Sequence, residues 1–195
     1  MKKLLITGFE PFGGEAINPS WEAVLRLPTE IGEYSLVKLR IPVVFGEGAA
    51  KVLQAAEEVR PDVILAVGQA GGRNAVTPEL IGINLRHASI PDNGGNQPKD
   101  KSIVAAGACA HFSTLPVRKM ATAIAAAGVP SRVSYSAGAY VCNDVLYTLL
   151  HRFEDSQTRV GFIHVPYCTE QQKESSMPLD DMVKALTVAI ESMDG

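Results

Sequence analysis

After its leading aspartate, the run Asp62-Val-Ile-Leu-Ala-Val67 is wholly apolar and rich in β-branched residues, and it stops at Gly68. A stretch this short and this uniformly apolar predicts a central strand covered on both faces. Lys3–Thr7, ended by Gly8, and Arg159–Val165 repeat the pattern, while Tyr34–Ile41 alternates as a strand does. Helical spacing fills the intervals. Trp21–Leu27 follows Asn18-Pro-Ser20, with Ser20 as the expected N-cap and Pro28 as the stop. Gly46–Val59 is closed by Arg60-Pro61, Pro116–Ala127 ends at Gly128, and Leu179–Met193 is amphipathic. Leu80–Leu85, interrupted by Gly82, and Arg132–Tyr135 are two further predicted strands. Strands alternating with helices in this way predict an α/β fold, a three-layer α/β/α sandwich around a mostly parallel twisted sheet. With 195 residues, 46% of them hydrophobic, and no linker-like tract, residues 1–195 are expected to form a single domain. The polar stretches Pro91–Lys101 and Thr169–Pro178 are the expected mobile loops.

Several function classes are disfavoured at once. A net charge of −3 with no basic run gives no reason to expect nucleic acid as a partner. No segment approaches the length needed to span a bilayer, and the opening Met-Lys-Lys-Leu-Leu-Ile-Thr-Gly is too short in apolar residues for a signal peptide. A soluble, cytoplasmic protein is expected. The cysteines Cys109, Cys142 and Cys168 are odd in number and irregularly spaced, which argues against a disulfide framework. Neither Cys109 with His111 nor His164 with Cys168 completes a metal-binding pattern, so no metal is expected.

Chemistry concentrates where the predicted strands end. In open α/β sheets the crevice beyond the carboxyl ends of the strands gathers reactive groups. Gly8–Gly14, Gly68–Arg73, the turn before Cys142 and His164–Tyr167 all fall there. Cys142 stands just past Ser136-Ala-Gly-Ala139, where an amphipathic helix begins. A thiol in a first helical turn faces free backbone N–H groups and the positive dipole end, which favour the thiolate. A buried structural cysteine would look the same in isolation. A cysteine nucleophile needs a base and a group to orient that base. His164, ending an apolar strand, is the best placed histidine; His151 beside Arg152 reads as a solvated helix-end residue, and His87 and His111 have no such setting. Glu79, before Leu80–Leu85, is the candidate carboxylate. Gly68-Gln-Ala-Gly-Gly-Arg73 matches neither dinucleotide nor P-loop signatures and reads as a tight loop near a ligand. Phe9 and Phe12 either pack into the core or line an apolar pocket.

Together these segments resemble type I pyroglutamyl peptidase, a cysteine exopeptidase family. The resemblance rests on Thr7-Gly-Phe-Glu-Pro-Phe-Gly-Gly14, Asn18-Pro-Ser-Trp21, Val67-Gly-Gln-Ala-Gly-Gly-Arg73, Ile90-Pro-Asp-Asn93 with Gly95-Asn-Gln-Pro98, Ala137-Gly138 with Tyr140-Val-Cys-Asn143, and Phe162-Ile-His-Val-Pro-Tyr167. It implies a Glu79–Cys142–His164 triad and hydrolysis of the N-terminal pyroglutamyl residue of peptides through a thioester, with no cofactor. It also implies an aromatic wall from Phe9 and Phe12, apolar lining from Ile90, Tyr140 and Val141, and lactam hydrogen bonds at Asn18 and the Gln69 backbone. A homo-oligomer, tetramer or dimer, goes with the resemblance. The chain departs from the family pattern at Ser89, where an arginine is usual, and at Glu79-Leu-Ile81 and Ser136-Ala-Gly-Ala139. The Ser89 departure raises an alternative: a catalytically weakened pyroglutamyl-binding homologue. A phosphorylase-like transferase on a similar core would call for a basic phosphate cradle, and only Arg73 is available for one.

Overall fold

The computed structural model describes residues 1–194. In chain order the elements are β1 (Lys2–Phe9), α1 (Pro19–Arg26), β2 (Glu30–Ile31), β3 (Tyr34–Ile41), α2 (Glu47–Val59) and β4 (Val63–Gln69). There follow β5 (Thr77–Pro78), β6 (Ile81–Ile83), β7 (Ala110–Phe112), α3 (Val117–Ala126), α4 (Val141–Arg152) and β8 (Arg159–Val165). Last come β9 (Tyr167–Cys168), β10 (Ser176–Met177) and α5 (Leu179–Glu191). Six strands form the main sheet in the order β2-β3-β1-β4-β8-β5. The four inner strands are parallel; β2 and β5, each two residues long, close the two sides in antiparallel sense.

Alternation along the strands sorts the core into two layers. Leu4 and Ile6, Val63, Leu65 and Val67, and Ile163 and Val165 pack against α1, α3 and α5. Leu5 and Phe9, Ile64 and Ala66, and Val160 and Phe162 face α2 and α4 on the other side. This is the expected α/β/α arrangement, and its buried parallel strands carry apolar residues on both faces for the reason sequence suggested.

Other expectations need correction. β1 and β4 run through Gly8 and Gly68 rather than ending there. At Gly8 a Cβ would stand 2.6 Å from Trp21 Cα, so the missing side chain lets α1 lie on the strand. The cap of α1 is Asn18, whose Oδ1 accepts from Ser20 N; Ser20 instead donates its hydroxyl to Asn18 Oδ1 and accepts from Phe9 N. Leu80–Leu85 shrinks to β6, which pairs with β7 in a separate antiparallel ribbon against α4. Arg132–Tyr135 forms no continuous strand, although it runs beside β5: Arg132 N donates to Val76 O, Ser134 N to Pro78 O, and Leu80 N to Ser134 O. Within Pro91–Lys101, buried Asp92 accepts from Phe45 N, Gly94 N and Asn96 N, so this stretch is a tied loop.

Candidate active site

Four elements deliver side chains to one cavity of about 340 Å³ at the carboxyl ends of the inner strands. β1 and the loop after it bring Phe9 and Phe12; β4 and its loop bring Gln69 and Arg73; β8 brings His164; α4 brings Cys142. Asn18, Val43 and Tyr140 complete much of the wall. Each strand has a different partner loop, so the cavity exists only once the parallel register is made.

The buried polar centre is Glu79. The chain leaves β5 and runs beside β8, with Thr77 opposite His164 and Glu79 N donating to Phe162 O. That places the fully buried Glu79 carboxylate against the imidazole, and His164 Nδ1 lies 2.6 Å from Glu79 Oε1. Arg73 Nη1 donates to the same oxygen at 2.6 Å and to Thr77 Oγ1 at 2.5 Å, while its Nη2 donates to Ser136 O. Burial opposes ionisation of Glu79, but the bond and charge of His164, with Ser134 and Arg73, hold its carboxyl below the usual range. Burial pushes the His164 imidazole below its usual value, against the pull of Glu79. Burial therefore favours the neutral ring, which a charged partner fixes at one nitrogen. Its other nitrogen is left for the cavity.

Cys142 is the second residue of α4, whose N-cap Tyr140 supplies no side-chain cap. The first-turn N–H groups are thus uncapped, as a thiol at a helix start requires. The expected preference for the thiolate is overturned nevertheless. Burial, followed by the Glu79 charge, pushes the Cys142 thiol up to about 12; Arg73 and the backbone N–H pull it down less strongly. Desolvation wins because the sulfur is packed under the sheet: a Cβ on Gly68 would be 2.9 Å from Sγ and 2.7 Å from Phe162 Cζ. Burial thus favours the uncharged form of both the thiol and the imidazole.

The remaining expected residues divide. Phe12 and Tyr140 form an aromatic face with ring centroids 6.2 Å apart, and Tyr140 Oη donates to Pro91 O. Gln171 Nε2 donates to Gln69 Oε1, which orients that amide. Ile90 is 48% exposed and Val141 is fully buried in the core behind α2 and α4, so neither lies on the cavity wall. Ser89 is exposed and also outside the wall. Glu79 finds its partners in Arg73 and His164 without calling on position 89, and the weakened-homologue reading has no support. Arg73 has no part in the triad that the sequence implies, where its motif is a close-approach loop and its charge enters only as a would-be phosphate ligand. A guanidinium a few residues before the candidate carboxylate was the available signal. His151 is not merely solvated: it is half-buried and hydrogen-bonded to His111, far from this cavity along α4.

The chain is similar to known proteins over nearly its whole length. A family profile described as pyroglutamyl peptidase matches residues 2–194. Pyrrolidone-carboxylate peptidase of Lactobacillus acidophilus is 50% identical, over 97% of this chain and 98% of that protein. The protein of the same name in Levilactobacillus brevis is 52% identical, over 98% of this chain and 97% of that one. The crystal structure of pyroglutamyl peptidase I from Bacillus amyloliquefaciens superposes with a TM-score of 0.94 at 44% identity, covering 99% of this chain and 97% of that chain.

Proposed function

The chain belongs to the pyroglutamyl peptidase family, and from that premise we propose that Cys142, His164 and Glu79 act as nucleophile, general base and orienting carboxylate. The activity is that of a cysteine exopeptidase removing an N-terminal pyroglutamyl residue from peptides. One observation carries the assignment of roles: the buried Glu79 Oε1–His164 Nδ1 contact in the floor of a cavity that also holds Cys142.

In this mechanism His164 takes the thiol proton as Cys142 Sγ attacks the pyroglutamyl carbonyl. Glu79 stabilises the imidazolium so formed, which is why a thiol pushed up by burial can still react. The uncapped N–H groups at the start of α4 face the developing oxyanion. His164 then donates its proton to the leaving amine, and the amine departs as the thioester forms. The same ring takes a proton from water as its oxygen attacks the thioester; the C–S bond then breaks, and the imidazolium returns the proton to the leaving thiolate, freeing pyroglutamate and restoring the thiol. Phe9, Phe12 and Tyr140 supply apolar walls for an uncharged lactam, with Asn18 and Gln69 as its polar contacts. Ile90 and Val141, the other apolar lining the resemblance implies, stand outside the cavity wall and complete the proposed substrate set by family likeness alone. A free glutamate would have to strip water from its charges against those rings, and Arg73 is already committed to Glu79.

Incubation with a pyroglutamyl-amide chromogenic substrate under reducing conditions tests the assignment. Cys142→Ser is expected to abolish turnover, and His164→Ala to reduce it by about 10²–10⁴-fold, the range for a lost general base. Unchanged turnover in Cys142→Ser would overturn the nucleophile. We also propose that residues 1–195 act as one domain, as a cytoplasmic homo-oligomer, dimer or tetramer. Light scattering after gel filtration checks the assembly. Among the described residues no helix is long and apolar enough to cross a membrane.

A further inference from the structure

At the opposite end of α4 from Cys142 lies a second group of chemically able side chains. His111 on β7, His151 in the last turn of α4 and Glu154 just beyond it bring one ligand atom each to within 4.8 Å of one another. Among the described residues this is the one group of three or more His, Cys, Asp or Glu side chains so placed. We propose that these three residues form a structural binding site for a divalent transition-metal ion of the zinc type, independent of the peptidase chemistry.

Geometry and ligand type both point this way. His111 Nε2 and His151 Nδ1 face each other at 3.1 Å. Two nitrogens bound at tetrahedral zinc, each about 2.0–2.1 Å from the metal, stand about 3.3 Å apart, so the rings need open only slightly. A shift of the shared proton to another ring nitrogen frees both lone pairs. His151 and Glu154 are three apart, the spacing that puts side chains on one helix face. The carboxylate lies 3.6 Å from His111 Nδ1 and is 56% exposed, free to swing onto the ion or to brace the ring. The rings themselves are held. Tyr147 stacks on His151 at an interplanar angle of 6° and touches the His111 ring at 5.1 Å, and its hydroxyl donates to Ala108 O. His111 is only 9% exposed, so its ring cannot rotate away without disturbing that stack. Two imidazoles with one carboxylate suit zinc, cobalt or nickel rather than calcium or magnesium, and a water would take the fourth position. Bound there, the ion would clip the β6–β7 ribbon to the last turn of α4.

The full chain carrying Cys142→Ser is the protein to titrate, because a thiol–imidazole pair also binds zinc. Zinc chloride is expected to bind at one site by calorimetry and to raise Tm by about 5–10 °C at a hundredfold excess over Kd. Magnesium is expected to do neither. Adding His151→Gln is expected to weaken zinc by more than about a hundredfold, and adding Glu154→Gln by about ten- to a hundredfold. Retained hydrolysis of the chromogenic amide by the single variant His151→Gln shows that α4 is intact; should that variant misfold, the exposed Glu154→Gln decides. An equal zinc shift with and without His151 or Glu154, or no shift in Cys142→Ser, would leave the three side chains as a hydrogen-bonded relay and overturn the site.

Discussion

One carboxylate oxygen, Glu79 Oε1, accepts from both an imidazole and a guanidinium. The arrangement explains how a charge can stay ionised in a fully buried position: two donors replace the water that burial removed. It also sets the protonation of the site. Glu79 has its carboxyl lowered from 4.5, so its contribution to stability is complete above that value and is lost as pH falls through the depressed one. His164 is lowered from 6.5, so the fold prefers the neutral ring; its contribution is complete above 6.5 and fades as pH drops toward its folded value. Both act in one direction, and acidification below 6.5 is expected to loosen the site before it unfolds the chain. Glu79→Gln is expected to cut kcat by about 10²–10⁴-fold, since an amide can favour the wrong imidazole tautomer. Because the carboxylate raises the His164 value and Arg73 lowers it, the acid limb of kcat/KM is expected to move to lower pH in this variant. A pH–rate profile that keeps its acid limb in place would show that Glu79 does not govern the ring.

Among the elements, α4 has the most to do. It begins at the thiol, and its next residue, Asn143, is fully buried and reaches sideways into the β6–β7 ribbon. Asn143 Oδ1 accepts from Ile83 N, and its Nδ2 donates to Ile83 O and Leu85 O. Asp144 follows, accepting from Arg86 Nε and Gly46 N. The helix start is thereby fixed by side chains that point away from the cavity. Asn143→Ala strands backbone groups in the interior, at a cost of about 2–4 kcal/mol. Urea unfolding is expected to show that loss, with a fall in kcat and little change in KM, because Cys142 is displaced while the aromatic wall stays. The same ribbon marks where sequence stops being legible. Runs such as Val63–Val67 and Arg159–Val165 announce buried parallel strands because both faces must be apolar. Leu80–Leu85 carries the same kind of residues, yet Asn143 and the close approach at Gly82, whose Cβ would lie 3.1 Å from Leu146 Cγ, take it into a separate layer. The local signs are slight: Gly82 and Asn84 interrupt the run, and neither says which layer it joins. The proposed site divides likewise: Cys142, His164 and Glu79 are legible from motif context. Arg73 needed the three-dimensional closure of its loop, and the high value of the Cys142 thiol needed the packing around Gly68.

At the scale of the molecule, two layers of helices enclose a sheet whose first strand and last helix are tied together. Lys2 Nζ lies 2.9 Å from Asp194 Oδ2, Arg159 Nη2 lies 2.9 Å from Asp194 Oδ1, and Tyr34 Oη donates to the same carboxylate. The Tyr34 hydrogen bond, with Lys2 and Arg159 behind it, lowers Asp194 to about 2 despite burial. A carboxyl lowered on folding stabilises above its unfolded value, about 3.9, and ceases to as pH falls through about 2. Melting of wild type and Asp194→Asn is therefore expected to differ at neutral pH and to converge in that acid window. Convergence only above pH 5 would place the effect elsewhere. The short strands β2 and β5 have a consequence of their own. Parallel strands with both faces apolar are hazardous when their backbone N–H and C=O rows are open, because another chain can dock on them and nucleate aggregates. Here the β8 flank is covered by β5, which is itself bonded on its outer side to Arg132 and Ser134, whereas β2 pairs only with Tyr34 and Ser35 of the eight-residue β3. The margin left least covered is β3 beyond Ser35, and there Lys38 and Arg40 place charge along the row that another chain would have to approach.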